Sequence, residues 1–212
     1  MFTGIIREVG EVRSRSAGAL VVAAPETAPA CKQGDSVCVS GVCLTVEKVN
    51  RDRLRFSLTP ETESRSTLGR IRAGAKVNIE PSLRAGEPMG GHVVLGHVDG
   101  VGSVWQMRRQ GDSAVLGVRC PEELRPCLAP KGSVAIDGVS LTIVDSSEGG
   151  ITISLVKYTL EQTTLGLLRE GDAVNVETDI LAKYVQAMLA AGVGRPPEPR
   201  ISLEALGEEG YL

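Results

Sequence analysis

Short apolar runs alternate with polar positions through most of the chain, and Gly, Asp, Asn or Ser interrupts them every few residues. SVCVSG, CLTVEKV, RLRFSL and KVNIE lie in the first half, and SVAIDG, SLTIV, ITISLV and AVNVE in the second. Their length, β-branched content and period of two predict strands, because successive strand side chains point to opposite faces. In CLTVEKV the alternation puts Leu44, Val46 and Lys48 on one face and Thr45, Glu47 and Val49 on the other. About six such runs fall in each stretch of roughly 90 residues, which predicts an all-β fold with one small closed antiparallel barrel per half. Closure removes the exposed strand edges. Residues 60–71 (PETESRSTLGRI) and 157–168 (KYTLEQTTLGLL) are expected to be loops running into a short helix, with Thr62 and Thr159 placed to cap it or to touch a ligand.

Near the end the period changes. TDILAKYVQAMLAAG (178–192) sets Ile180, Leu181, Tyr184, Val185, Met188 and Leu189 on one helical stripe, with Thr178 or Asp179 as N-cap and Gly192 as the stop. Pro196, Pro197 and Pro199 then break the chain before ISLEALGEEGYL. A helix beyond two complete barrels has an apolar face still to bury, on its own domain or on copies of itself.

The strands are duplicated. SGVCLTV (40–46) returns as DGVSLTI (137–143), and at that offset of 97 about 17 of the 45 positions from 36 to 80 are identical without a gap. Chance alignment of two strands does not carry its flanks in register. The start of the chain also returns, FTGIIREVGEV (2–12) as VLGHVDGVGSV (94–104), at an offset of 92. This organisation predicts an N-terminal barrel over 1–92, a C-terminal barrel over 93–189 and a helical tail over 178–212.

Composition narrows the chemistry. Net charge is −3 with no long basic run, which gives no nucleic-acid footprint. The longest apolar stretch, Ala19–Ala24, is stopped by Pro25 and is too short to span a bilayer. MFTGII lacks the pattern of an export signal, and five cysteines without a CxxC fit a reducing compartment, so a cytoplasmic protein is expected. His92 and His97 are five apart, on opposite faces if they lie on a strand, and no third ligand joins them, so no metal is expected. The repeat makes Cys43 and Ser140 equivalent, each followed by Leu and then by Thr45 or Thr142. Small polar side chains at a barrel mouth suit a planar heterocycle, although any single Thr is also an ordinary strand residue. GHVDGVG (96–102) has its glycines in the wrong order for a dinucleotide loop, and GxSxG, Walker and HExxH motifs are absent from the sequence.

MFTGII, SGVCLTV, GGHVVLGHVDG, IDGVSLT, TLEQTTLG and NVETDILAKYV, in this order and over nearly the whole chain, resemble the riboflavin synthase family of the alpha-chain type. The resemblance implies two six-stranded Greek-key barrels, a C-terminal helix that holds a homotrimer, and no cofactor. It implies dismutation of two molecules of 6,7-dimethyl-8-ribityllumazine to riboflavin and 5-amino-6-ribitylamino-uracil, and leaves room for an association with lumazine synthase. Carried over by motif, the N-barrel pocket would use Gly4, Ile5 and Ile6, then Cys43, Leu44 and Thr45. Ser57, Leu58, Thr59, Pro60, Glu61 and Thr62 would follow, with Gly96, His97 and Val98. The C-barrel pocket would use Lys131, Ser140, Leu141 and Thr142, then Ser154, Leu155, Val156, Lys157, Tyr158 and Thr159. Phe2, Ser36, Cys43, His97 and Asp179 match positions the family relies on for activity. His97 is the natural proton carrier, and Cys43 or Ser36 could supply or orient a nucleophile. Lys157-Tyr158 departs from the family's usual Pro-led pair, as do Ser40 and Glu80-Pro81-Ser82 from their usual residues. Two rivals share this fold type: a non-catalytic lumazine- or flavin-binding protein, and a flavin reductase barrel, whose R-x-Y-S-like motif RLRFSL only approaches.

Overall fold

Strands β1 (Glu8–Ser16), β2 (Ala19–Ala23), β3 (Ser36–Val39), β4 (Val42–Asn50), β5 (Arg53–Ser57) and β6 (Lys76–Pro81) close into one antiparallel barrel in the order β1-β2-β5-β4-β3-β6. β7 (Gly100–Gln110), β8 (Ser113–Arg119), β9 (Ser133–Ile136), β10 (Val139–Ser147), β11 (Gly150–Leu155) and β12 (Ala173–Thr178) close a second barrel with the same cyclic order. The computed structural model describes residues 1–192 and 210, so the three prolines and, apart from Gly210, the last segment lie outside the described residues. Each barrel interior is filled by one face of every strand, mostly Val, Leu and Ile. Phe56 is the one aromatic in the first core, and the second core holds none.

The strict alternation expected of CLTVEKV is interrupted. Val46 pairs with Phe56 but Lys48 with Arg55, so a bulge at Glu47 resets the facing. Leu44 and Val46 are buried as expected, whereas Lys48 turns to solvent and Val49 packs on the core. The duplicate bulge lies between Ile143 and Asp145 in β10. The connecting segments also differ from expectation, since an α-helix comes first and a short 3-10 turn, Thr67–Gly69 or Thr164–Leu167, follows it. In α1 (Pro60–Arg65) Thr59 is the N-cap and its hydroxyl accepts from the Thr62 N–H at 3.1 Å. Thr62 lies inside that helix, and Thr159 lies inside α2 (Lys157–Gln162), whose N-cap is Val156. The Pro60 ring favours the helix start one residue after Thr59, which is why the cap falls earlier.

The repeated phrase forms the junction between barrels. Ser40-Gly41 and Asp137-Gly138 are two-residue hairpin turns with every φ positive: 43°, 83°, 45° and 78°. The two turns abut. A Cβ on Gly41 would lie 2.8 Å from the Gly138 nitrogen, and one on Gly138 would lie 2.7 Å from the Gly41 nitrogen. Two buried asparagines lock the contact. Asn78 Nδ2 donates to the Asp137 carbonyl at 2.9 Å and its Oδ1 accepts from the Thr164 N–H at 2.8 Å. Its duplicate Asn175 donates to the Ser40 carbonyl at 2.7 Å and accepts from the Thr67 N–H at 2.8 Å. The barrels are thus related by a local two-fold through the turns.

Helix α3 (Ile180–Ala190) follows β12 directly. Asp179 caps it, accepting from the Leu181 N–H at 2.9 Å, while Thr178 is the last residue of β12. One edge docks on the second barrel, through Lys183 Nζ to Asp99 at 2.7 Å and Cys127 Sγ to Gln186 at 3.0 Å. Leu181, Tyr184, Val185, Met188 and Leu189 remain between 53% and 68% exposed.

The turn contact yields a prediction. Gly138→Ala combines a left-handed residue with a backbone clash and lowers stability by roughly 2–4 kcal/mol. Gly34→Ala, also at positive φ (90°) but with no atom within 4 Å, is the control. It loses only about 1–2 kcal/mol. Equal shifts of the two urea midpoints would remove the packing role assigned to the turns.

Candidate functional site

Each barrel carries one candidate surface, built on the outer face of its fourth strand. In the first barrel Cys43 and Thr45 point outward from β4. Ser36 sits opposite Thr45 across the β3–β4 pair, and Ser57 lies at the end of β5, where Glu47 accepts from its hydroxyl. In the second barrel Ser140 and Thr142 point outward from β10, opposite Ala135 and Ser133. Leu58 and Leu155 turn into their barrel cores, while Ser57 and Ser154 stay on the outside. Val156 and Tyr158 are exposed, and the Lys157 ammonium lies 3.4 Å from Asp112. Pro60, Glu61 and Thr62 follow on α1, as Thr159 does on α2. Lys131 precedes β9 with φ 68° and donates its N–H to the Ile143 carbonyl at 2.8 Å.

The segments that enter the barrels cross over. The Cys43 N–H donates to the Gly96 carbonyl at 2.8 Å, and the Ser140 N–H donates to the Gly4 carbonyl at 2.8 Å. A Cβ on Gly96 would meet Cys43 Cβ at 2.7 Å, and one on Gly4 would meet Ser140 Cβ at 2.6 Å. Only glycine permits either approach. Val98 packs on the first core and Ile6 on the second. This corrects the expected grouping: Gly4, Ile5 and Ile6 complete the Ser140 surface, and only Gly96, His97 and Val98 belong with Cys43. The offset of 92 already made Gly4 the duplicate of Gly96, which is the signal that could have revealed the crossing.

Two buried carboxylates hold these crossings. Glu80 accepts from the Thr3 N–H at 2.7 Å, the Thr3 hydroxyl at 2.7 Å and the Gly4 N–H at 2.9 Å. Glu177, its duplicate, accepts from the N–H groups of Leu95, Gly96 and His97 at 2.7, 2.9 and 3.1 Å. Burial pushes the Glu177 carboxyl up to about 7, against the pull of those donors, and raises Glu80 likewise. Phe2 is 1% exposed and packs with Val94, Cys38 and Ala135 between the barrels, its backbone paired with Val94. It supports the crossing from beneath, and Cys43 packs against the same cluster.

The histidines lie in the irregular connection between barrels, not on a strand as considered above, so the five-residue spacing places them at different surfaces. His97 is exposed on the loop beside Cys43. His92, which the sequence did not single out for chemistry, places Nδ1 2.7 Å from Ser140 Oγ. Its Nε2 is buried without a partner. Burial pushes its imidazole below the ordinary value, and the charge of Asp179 pulls it partly back. Asp179 therefore joins the Ser140 surface electrostatically while capping α3.

The lumazine binding domain family matches residues 3–82 and again 95–179. The riboflavin synthase of Actinobacillus pleuropneumoniae is 32% identical over the full length of both chains, and that of Bacillus subtilis 34%. The riboflavin synthase of Brucella abortus is 40% identical over 87% of this chain and 96% of its own. This chain belongs to the riboflavin synthase family. Among solved structures, LumP complexed with riboflavin superposes with a TM-score of 0.79 at 27% identity, over 84% of this chain and 99% of LumP. LumP complexed with 6,7-dimethyl-8-(1'-D-ribityl) lumazine gives 0.75 at the same identity and coverage. Within the family framework the two surfaces are the duplicated domain's counterpart positions, one carrying Cys43 and His97, the other Ser140 and His92.

The His92 geometry predicts its titration. Followed by NMR, His92 titrates below 6.5, and Asp179→Asn lowers it further, since loss of the negative charge removes the stabilisation of the imidazolium. An unchanged or raised value in that variant would separate Asp179 from this surface.

Proposed function

We propose that the protein is a riboflavin synthase, which moves a four-carbon unit between two molecules of 6,7-dimethyl-8-ribityllumazine to give riboflavin and 5-amino-6-ribitylamino-uracil. The observation that carries this reading is the pair of equivalent but non-identical surfaces. A reaction between two copies of one molecule needs two related sites, and donor and acceptor roles need them to differ. The sequence identity to enzymes along the whole chain supports it.

The Cys43 surface offers a thiol on the strand that bonds Gly96, the residue before the exposed His97. The Ser140 surface offers a hydroxyl bonded to a half-buried imidazole, which burial biases toward the neutral, proton-accepting form. His97 and His92 are the candidates for taking a proton from the C7 methyl of one lumazine, and Cys43 or Ser36 for activating the other. No cofactor is required. The productive pair of surfaces is assigned to two chains of a homotrimer, because both surfaces lie on the outside of the barrels and α3 presents an uncovered apolar stripe. Covering a large apolar side chain of that kind contributes roughly 1.5–3 kcal/mol.

Incubation of the purified protein with the lumazine alone yields riboflavin. Cys43→Ala and His97→Gln each lower turnover strongly, and His97→Gln keeps lumazine binding. Tight binding without turnover in the native protein would favour a non-catalytic binder of the LumP kind, whose structural match makes it the second reading.

Truncation after Asp179 gives a folded monomer by sedimentation that binds lumazine and makes almost no riboflavin. A fully active monomer would place both surfaces of the productive pair in one chain.

A further inference from the structure

A cleft of about 570 Å³ opens where the segments that follow α1 and α2 meet across the junction. Its walls are duplicate positions: Ser40 and Asp137, Thr67 and Thr164, Arg70 and Leu167, Lys76 and Ala173. None of these belongs to the surfaces around Cys43 or Ser140. Its volume falls in the range of about 300–1,000 Å³ usual for small-molecule sites.

The local two-fold fails here in two ways. Thr67 Oγ1 accepts from Asn175 Nδ2 at 2.9 Å, but Thr164, 7% exposed, has its Oγ1 buried and without a partner. The Asn78 side chain does not reach it and donates to the Asp137 carbonyl instead. Proteins seldom leave a buried hydroxyl unpaired. The second failure is in charge. Arg70 is exposed and forms no ion pair among the described residues, whereas its duplicate Leu167 is a 63% exposed apolar surface. One wall therefore carries the exposed cation Arg70, and the facing wall joins the apolar Leu167 and Ala173 to Asp172, whose carboxylate is engaged by the Arg169 N–H at 2.7 Å. The buried Asp137 carboxyl, pushed up to about 7 by burial against the Asn175 N–H, carries only part of a negative charge at neutral pH.

We propose that this cleft is a second ligand site, for a small planar apolar molecule bearing one anionic group. The anion meets Arg70, the flat body lies on Leu167 and Ala173, and a polar edge reaches Thr164 Oγ1. Such a site is separate from both candidate lumazine surfaces and lies against the Asn78–Asn175 lock that sets the relation of the barrels.

Calorimetric titration of the full chain with 1-naphthyl phosphate, and with 1-naphthol as the uncharged counterpart, tests this. The phosphate is expected to bind once per chain and at least tenfold more tightly than naphthol. Arg70→Ala should remove that preference, and Ala173→Phe, which fills the cleft from an exposed strand position, should abolish binding of both. Lumazine binding and thermal stability should be unchanged in either variant. Absence of saturable binding, binding that survives both substitutions, or binding displaced by lumazine would each overturn the proposal.

Discussion

The contact of Gly41 with Gly138 is the constraint on which the arrangement depends. Two backbones meet there with no room for a Cβ on either side, at φ values few other residues adopt. Because the turns sit on the local two-fold, their approach fixes where every duplicate pair lies. Asn78 and Asn175 then read the same axis in hydrogen bonds, each spanning from its own barrel to the turn and the post-helical segment of the other. Such buried amide networks are favourable only when fully paired, so they specify one relative orientation of the barrels over its neighbours.

From that axis the crossing of the entry segments follows. Thr3-Gly4 and Leu95-Gly96 start in one barrel's carboxylate clamp and end on the other barrel's fourth strand. The clamps place charge where burial disfavours it, and the compensation is a set of backbone donors that have no other acceptor. Positioning of the surfaces around Cys43 and Ser140 thus depends on polar contacts at the junction as much as on the apolar barrels beneath them.

The strands, their count and the duplication were legible in the sequence because a half-buried strand writes its face in a period of two. The tail helix was legible for the same reason at a period of 3.6, with its cap narrowed to Thr178 or Asp179, of which the structure uses Asp179. The bulge at Glu47 was not, since one extra residue shifts facing without changing residue types. The helix order in 60–71 was missed because Thr62 was favoured over Thr59 although Pro60 marks the start. The pocket grouping failed for another reason. Adjacency in sequence does not report adjacency in space here, because the Gly4 and Gly96 carbonyls serve the opposite barrels. His92 escaped because its role rests on one 2.7 Å contact with a residue 48 positions away.

The crossing has a consequence for how such a chain could arise. A lone barrel with this entry segment would leave its fourth-strand surface uncapped, but two identical barrels about the same axis would cap each other. Most junction contacts here have that reciprocal form, residue to duplicate and duplicate to residue, which is the signature of an isologous dimer. Joining the two copies in one polypeptide turns a concentration-dependent association into an intramolecular one. It also frees the copies from identity. Once the partners are encoded separately, one can hold Cys43 beside His97 while the other holds Ser140 beside His92, a division of labour no symmetric dimer can encode.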